Sequence, residues 1–185
     1  MSASSAIDSL ASASEAAVLA LWARADSGAL TDDQFVTLAA AEVARRNARA
    51  VGLADAAVAM AVTARTGVPA APVGLPIIDH QTRLRASIRK VLAEDIVFVE
   101  SAREKYESIA GRLGRLARAE PARVAQSSMQ QAMKQHPPVS GWVRGLSAKP
   151  CPLCRSWADG KTRSADIPMN RHAGCSCVPQ PVVSQ

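Results

Sequence analysis

The sulfur and imidazole side chains near the C-terminus constrain this chain more than any other feature of its sequence. All four cysteines lie among the last 35 of 185 residues, and a histidine separates the two pairs, in the order Cys151, Cys154, His172, Cys175 and Cys177. Zinc takes about four such ligands in a tetrahedron, so the pattern C-x2-C-x17-H-x2-C-x-C has one donor to spare. A short tail with few apolar side chains buries little surface, and a metal ion would supply the missing stability. The pattern therefore predicts a structural zinc site.

The residues between these ligands indicate how the two pairs could meet. Pro152 splits the first pair, which predicts a Cys-Pro-Leu-Cys turn that presents two sulfurs to one ion. Cys175 and Cys177 are two residues apart, so their side chains share a face if the segment is extended. Asp159-Gly160 is a turn dipeptide, which predicts a hairpin that brings both pairs together.

The spacing leaves the ligand set open, because His172 with three cysteines would satisfy the ion and so would the four cysteines. We favour Cys151, Cys154 and His172, with at least one of Cys175 and Cys177. Three alternatives to a zinc site would use the same residues. They are two disulfides, a thioredoxin-like redox pair, and a cysteine nucleophile paired with His172. We disfavour them because the sequence shows no secretion signal and no βαβ pattern, and because such local clustering is typical of metal sites.

The rest of the chain has mostly helical periodicity. Apolar residues from about 7 to 25 recur at helical spacing, and Gly28 is a plausible left-handed cap that ends this helix. Thr31 and Gln34 form a capping-box pattern, which predicts a long helix over about 32–65. Five Gly and Pro residues within 66–76 then predict a linker or a rigid turn.

Helical periodicity resumes at Asp79 and continues to about residue 116, where Gly111 and Gly114 are expected to bend or interrupt the helix. Pro121 suits a helical first turn, so we predict that another helix begins there and runs to about residue 135. His136-Pro137-Pro138 would end it, and 139–146 is a short extended candidate.

Aromatic residues make up only 3% of the chain, so Ala, Leu and Val must build the core, which suits packed helices better than a β-sandwich. The predicted fold class is mainly α (α+β), with long helices forming the body and a small zinc-stapled β-hairpin module at the C-terminus. The predicted divisions are a helical region over 1–66, a Pro/Gly linker over 67–78, a helical region over 79–136, and the Cys/His tail over 137–185.

Positive charge increases toward the C-terminus. The formal net charge is +6, and residues 131–185 carry seven Lys or Arg against two Asp or Glu, whereas residues 1–60 carry four against seven. This surface is expected to contact phosphate or an acidic protein, although a solvated basic face would look the same. Base-stacking RNA recognition is disfavoured, since it needs aromatic side chains.

Other sequence features suggest no membrane segment and no enzyme. The sequence has no run of 18 uninterrupted apolar residues and no basic-then-apolar leader, so we expect a soluble chain in a cytoplasm-like compartment. It contains no Gly-rich phosphate loop, no His-Glu-x-x-His and no Gly-x-Ser-x-Gly, so we expect no catalytic activity. His80 and His136 lie at predicted helix boundaries, and we interpret them as surface or capping residues.

The stretch from 115 to 179 resembles the phage Mu F-like minor head protein family, in the short version found in tailed phages of actinobacteria. An Arg-rich helical segment ending at Glu120, then Gly141-Trp142-Val143-Arg144, Cys151-Pro-Leu-Cys154, Asp159-Gly160-Lys161 and His172-Ala-Gly-Cys175-Ser-Cys177 follow one another in the order of that family. The Cys/His portion is the specific part of the resemblance. The segment 165–171 departs from the family pattern, where a proline-rich approach to the histidine is commoner.

This resemblance implies a structural virion protein present in few copies. Such a minor capsid protein would lie at the portal vertex or in the head interior and assist head assembly and DNA packaging or ejection. Its partners would be the portal, the major capsid protein or a scaffolding protein, with non-specific contact to packaged DNA through the basic C-terminal region. It would be in the host bacterial cytoplasm during assembly.

Two other functions remain open at this point. A zinc-module nucleic-acid-binding protein would need a helix within or after the zinc knuckle to enter a groove, and the segment between Cys154 and His172 lacks a clear amphipathic helix. A head maturation protease component would follow from how relatives are organised, but the sequence offers no Ser/His/Asp or paired-carboxylate arrangement for it.

Overall fold

The computed structural model describes residues 2–93, 109–172 and 174–184. The chain is mainly helical, with a small two-stranded antiparallel sheet near the C-terminus, which confirms the predicted fold class. The elements in chain order are α1 (Ala3–Asp26), α2 (Asp32–Thr66), α3 (Gln81–Ala93), α4 (Ile109–Gln135), β1 (Val139–Gly145), α5 (Pro152–Trp157) and β2 (Val178–Val183).

Capping chemistry sets the junction between α1 and α2. α1 begins about one turn earlier than predicted, where the Ser2 hydroxyl accepts the N–H of Ser5, and Gly28 follows its end with φ +79°. The capping box at the start of α2 is confirmed, since Gln34 N–H donates to Thr31 Oγ1 at 3.3 Å and Thr31 N–H donates to Gln34 Oε1 at 2.9 Å. These reciprocal bonds satisfy two N–H groups that a helix start would otherwise leave unpaired.

The predicted helix boundary at Pro121 is wrong. α4 runs without interruption through Gly111, Gly114 and Pro121. A proline inside a helix removes one hydrogen bond and crowds the preceding turn, at a cost of about 3 kcal/mol, and here the buried packing of α4 outweighs that cost. Of the helix predicted over 79–116, α3 covers one part and α4 another, and residues 94–108 lie outside the described residues.

Gly114 does not interrupt α4, and it permits a close approach of α1. A Cβ atom at this position would lie 3.2 Å from Glu15 Oε1 and 3.6 Å from Leu19 Cδ1, both on α1. A larger residue would need the end of the Glu15 side chain to move by a few tenths of an ångström, whereas its contact with Leu19 would be ordinary. The predicted interruption at Gly114 is therefore wrong, and the glycine lies at a helix–helix contact.

Besides the buried cysteines, the described residues form two clusters of buried side chains. One lies between α1, α2, α3 and α4 and includes Phe35, against which Trp22 packs edge-on with ring centroids 5.4 Å apart. The other joins the opposite end of the helices to the tail, because Ile7 and Met129 share it with Trp142 from β1 and with Val178 from β2. The C-terminal tail thus packs onto the helical body through a common core.

One carboxylate accepts three backbone N–H groups of the Gly- and Pro-rich segment after α2. Asp55, which is 4% exposed, accepts the backbone N–H groups of Val73, Gly74 and Leu75 at 2.9, 2.9 and 3.2 Å. These hydrogen bonds fix the segment against α2. The four-part division of the chain stays a prediction, although 67 and 137 each lie just beyond the end of a helix.

The sheet pairs β1 with β2 from Val139↔Val183 to Gly145↔Val178, and β1 matches the predicted extended segment. The backbone of Trp142 points away from β2, because its N–H and C=O exchange hydrogen bonds with Arg163 at 2.7 and 2.8 Å. Its partner on β2 is Pro181. Backbone groups along a strand alternate between its two edges. At the positions of Pro179 and Pro181, the backbone N–H of any other residue would point to the outer edge of β2, and proline has no N–H.

α1 is long enough and apolar enough, by length and composition only, to cross a membrane. We expected no such segment because no apolar run there is uninterrupted. Ile7, Leu10 and Val18 of this helix are buried in the two core clusters. In this structure its most buried face therefore contacts protein.

Candidate metal centre

The first cysteine pair lies at the start of a short helix. Cys151 is the N-cap of α5, and its Sγ accepts the backbone N–H of Cys154 at 3.3 Å. Pro152 follows at the first helical position, where its fixed φ suits a helix and its missing N–H costs nothing. The predicted Cys-Pro-Leu-Cys turn is therefore the first turn of a helix. Its geometry directs both sulfurs to one side, and the Cys154 N–H lowers the pKa of the Cys151 thiol.

The second group of donors lies on an irregular segment that leads into β2. Cys175 N–H donates to the carbonyl of His172 at 3.2 Å, and Gly174 has φ +74°, so the chain turns tightly between these ligands. Cys175 and Cys177 are both buried. The Asp159-Gly160 turn is present, with Asp159 Oδ1 accepting the Lys161 N–H at 3.1 Å. However, β1 and β2, which enclose the whole segment, form the hairpin-like pair.

The five predicted donors lie close together. Cys151 Sγ is 3.0 Å from His172 Nε2, Cys154 Sγ is 3.3 Å from the same nitrogen, and Cys154 Sγ is 3.3 Å from Cys175 Sγ. The donors form two groups, Cys151–Cys154–His172 and Cys154–Cys175–Cys177, with the ligand atoms of each group within 4.8 Å of one another. Cys154, at 1% exposure, belongs to both groups.

These distances fit a tetrahedral metal site. Zn–S bonds of about 2.3 Å and Zn–N bonds of about 2.0–2.1 Å place neighbouring ligand atoms roughly 3.5–3.8 Å apart. The observed separations of 3.0 to 3.3 Å are a few tenths of an ångström shorter. A small outward movement of the donors therefore accommodates an ion at their centre. All four thiols are free, which argues against the disulfide alternative.

Burial and nearby N–H donors act on the sulfurs in opposite directions. Burial raises the pKa of the Cys154 thiol and that of the Cys175 thiol, so burial alone disfavours the thiolate form that binds a metal. N–H donors nonetheless point at the cluster, with Ser147 N–H donating to Cys177 Sγ at 3.4 Å and Arg144 Nη1 lying 3.8 Å from Cys154 Sγ. Such donors stabilise metal-bound thiolates.

Two residues beside the cluster were not predicted as site residues, although Arg144 belongs to one of the motifs shared with the Mu F-like pattern. Arg144 stacks over the Trp157 ring, 5.0 Å from its centroid, and also donates to the carbonyl of Asn170. Gln126 of α4 is 3% exposed and donates both N–H groups of its side-chain amide to the carbonyls of Cys175 and Cys177. Both residues belong to other elements, so only the fold brings them to the donors.

A cavity of about 240 Å³ opens beside His172 and Cys175 and is also lined by Glu120, Arg123 and Arg171. Burial raises the pKa of Glu120, but hydrogen bonds from Arg83 and Arg123 outweigh it, and the pKa is below its ordinary value. Both carboxylate oxygens accept hydrogen bonds from Arg83. Glu120 is thus ionised, and its carboxylate accepts hydrogen bonds from the two arginines.

The other two histidines are not part of the cluster. His80 precedes α3, and His136 follows α4 and is buried. Neither belongs to a potential metal-binding group of His, Cys, Asp and Glu side chains among the described residues. Burial lowers the pKa of His80, and the positive charges of Arg83 and Arg123 lower it further.

Comparison of the chain with protein-family models, curated proteins and solved structures finds no match. The functional conclusion must therefore rest on the residues of this chain.

Proposed function

We propose that the Cys/His cluster binds one zinc ion and that this ion holds the C-terminal tail in its fold. The observation that carries the proposal is the approach of Cys154 to both His172 and Cys175 at 3.3 Å. Soft sulfur donors with one imidazole suit zinc better than magnesium or calcium, which prefer oxygen. Four of the five residues Cys151, Cys154, His172, Cys175 and Cys177 would serve as ligands.

The role we propose for this ion is structural. Catalytic zinc sites keep one coordination position open for water or substrate, whereas this cluster has more donors than a tetrahedron needs. Three of its thiols are buried, and the nearby carboxylate of Glu120 is engaged by Arg83 and Arg123. A general base for metal-assisted hydrolysis would need a free acceptor within reach of bound water. We therefore propose that the chain is not an enzyme.

We further propose that the protein is a minor capsid component of a tailed phage, associated with the portal vertex or head interior. The support is the ordered register of residues shared with Mu F-like proteins. Those residues meet in one module here, since Gly141 permits the close contact of β1 with Arg163 and Trp142 Nε1 donates to the carbonyl of Ile167 at 2.9 Å. In this proposal the helical body contacts portal, capsid or scaffolding protein, and the basic tail contacts packaged DNA.

A sequence-reading nucleic-acid module receives less support. Its recognition helix would have to lie within or after the zinc knuckle, where the six residues of α5 form the only helix among the described residues. Groove-reading helices present several side chains over two or more turns. The positive charge of the tail supports at most salt-dependent contact with phosphates.

Elemental analysis of the purified chain tests the metal proposal. We expect about one zinc per chain, released by a strong chelator with loss of tail structure, and the Cys154→Ser variant should contain little zinc. A metal-free wild-type protein that keeps its fold would refute the structural site.

The virion proposal needs a separate experiment. Mass spectrometry of purified particles, combined with chemical cross-linking, should detect the protein in few copies linked to the portal or capsid. Its absence from particles would refute the assignment. Steep salt-dependent DNA binding with strong sequence preference would favour the nucleic-acid module, and cleavage of co-expressed capsid protein that His172→Ala abolishes would favour a protease component.

A further inference from the structure

We infer that Gln126 is a positioning residue for the metal centre, which it holds from the helical body. This inference rests on the proposed zinc site. Gln126 lies in α4, outside the Cys/His segment, and its side-chain amide is buried against the backbone of that segment. Nε2 lies 2.9 Å from the carbonyl oxygen of Cys175 and 2.7 Å from that of Cys177.

The chemistry of these contacts fixes the orientation of the amide. Two carbonyl oxygens can only accept, so the group that faces both must be the NH2 end, whose two N–H bonds are then both used. A glutamate at this position would instead direct a carboxylate at two carbonyl oxygens. A methionine would leave both buried carbonyl oxygens without these hydrogen-bond donors.

Holding two carbonyls controls where the thiols point. Cys175 and Cys177 are two residues apart, and both side chains project from the same stretch of backbone. The rotation of that backbone about its own axis sets the direction in which the two thiols point. Bonding both carbonyls to one amide stops the segment from rotating about its own axis. Cys175 Sγ is thereby kept beside Cys154 Sγ before any metal arrives. Outer partners of this kind typically change metal affinity by about 10–100-fold when they are removed.

The same helix supplies a matched control. Gln130, one turn further along α4, also donates its Nε2 to a backbone carbonyl of the tail, that of Ile167 at 2.8 Å. Its partner is not a metal ligand, and Gln130 is the more exposed of the two glutamines. Gln130→Met therefore removes one helix-to-tail hydrogen bond without touching the donors.

The test is a zinc competition titration against a chromophoric chelator, with Co²⁺ absorption as a report of tetrahedral geometry. We expect Gln126→Met to bind Zn²⁺ about 10–100-fold more weakly than wild type and to show altered Co²⁺ d–d bands, with helical circular dichroism preserved. Gln130→Met should bind within about twofold of wild type. If Gln126→Met does not fold, Gln126→Asn, which keeps the amide but shortens its reach, should lose affinity in the same way.

The outcomes separate this inference from the proposed function. A folded Gln126 variant with wild-type Zn²⁺ affinity and an unchanged Co²⁺ spectrum would overturn the inference alone, as would an equal loss of affinity in Gln130→Met. Wild-type protein that binds no Zn²⁺ would overturn the zinc site itself.

Discussion

Replacing Asp55 with alanine should release the Gly- and Pro-rich segment that follows α2. The carboxylate accepts three backbone N–H groups, from Val73 at one oxygen and from Gly74 and Leu75 at the other. Each intramolecular hydrogen bond contributes about 1 kcal/mol net, and bonds to a charged group contribute about 1.5–3 kcal/mol. The freed N–H groups can reach water because Gly74 is exposed. We therefore use the value of about 1 kcal/mol for each hydrogen bond that is lost.

We therefore expect Asp55→Ala to lower the free energy of unfolding by about 3 kcal/mol. For a chain of this size, about 1 kcal/mol shifts Tm by roughly 2–4 °C, so the expected decrease is about 6–12 °C. Urea titration at saturating zinc, followed by far-UV circular dichroism, measures the change. Amide hydrogen exchange should show that Val73, Gly74 and Leu75 lose protection in the variant, since their hydrogen-bond acceptor is gone.

Two further variants control for the loss of charge and of hydrogen bonds. Asp55→Asn keeps one acceptor oxygen but turns the other into a donor, so its effect should be intermediate. Asp33→Ala removes an exposed carboxylate of the same helix, paired with exposed Arg89, and should cost at most about 1 kcal/mol. If Asp55→Ala matched Asp33→Ala in stability and its three amides stayed protected, our account of this segment would be wrong.

Three other changes test the site and its supports. Cys154→Ser should abolish stoichiometric zinc because this thiol belongs to both donor groups, and retention of zinc in elemental analysis would contradict that role. Gly141→Ala should lower Tm because the new Cβ would overlap the Arg163 carbonyl oxygen, and a wild-type melting curve would contradict this contact. Glu120 has a lowered pKa, so its stabilising effect is present above the ordinary value of about 4.3 and is lost as pH falls through the folded-state pKa. Urea titrations from pH 5 to 3 should therefore show a larger loss for wild type than for Glu120→Gln, and equal losses would refute the effect of the Arg83 contact.

Local signals in the sequence were sufficient for α2. Thr31 and Gln34 fix the start of α2 through contacts within four residues, and Gly67, with φ +72°, ends it. Such capping interactions need no knowledge of the rest of the fold. The prolines after α4 likewise indicate the end of that helix, whereas the pairing of β1 with β2 is non-local.

Pro121 shows where local rules fail. Proline is favoured in the first helical turn, and the sequence offers no sign that a buried helix already extends through this position. The surrounding α4 residues are packed against α1 and α2, and the energy of that packing belongs to the tertiary structure. The predicted interruption at Gly114 was wrong for the same reason, because the contact of this glycine lies on α1.

The proximity of the five donors could be predicted because their residue types and spacing have few other chemical uses. The position of Cys151 as a helix N-cap could not be predicted, because Pro152 fits a turn and a helix start equally well. Gln126 gave no signal at all, because a polar residue in an amphipathic helix usually faces solvent. Only the packing of α4 against the tail places its amide on the ligand-bearing backbone.

The two prolines of β2 limit how this tail can pair with the tail of another copy of the chain. Pro179 and Pro181 occupy successive outward positions, so that side of the ribbon offers carbonyl acceptors without the donors that a neighbouring strand would seek. On the opposite side, the backbone of Trp142 is already engaged by Arg163. Both features disfavour the association of neighbouring molecules through a continuous intermolecular sheet at this ribbon.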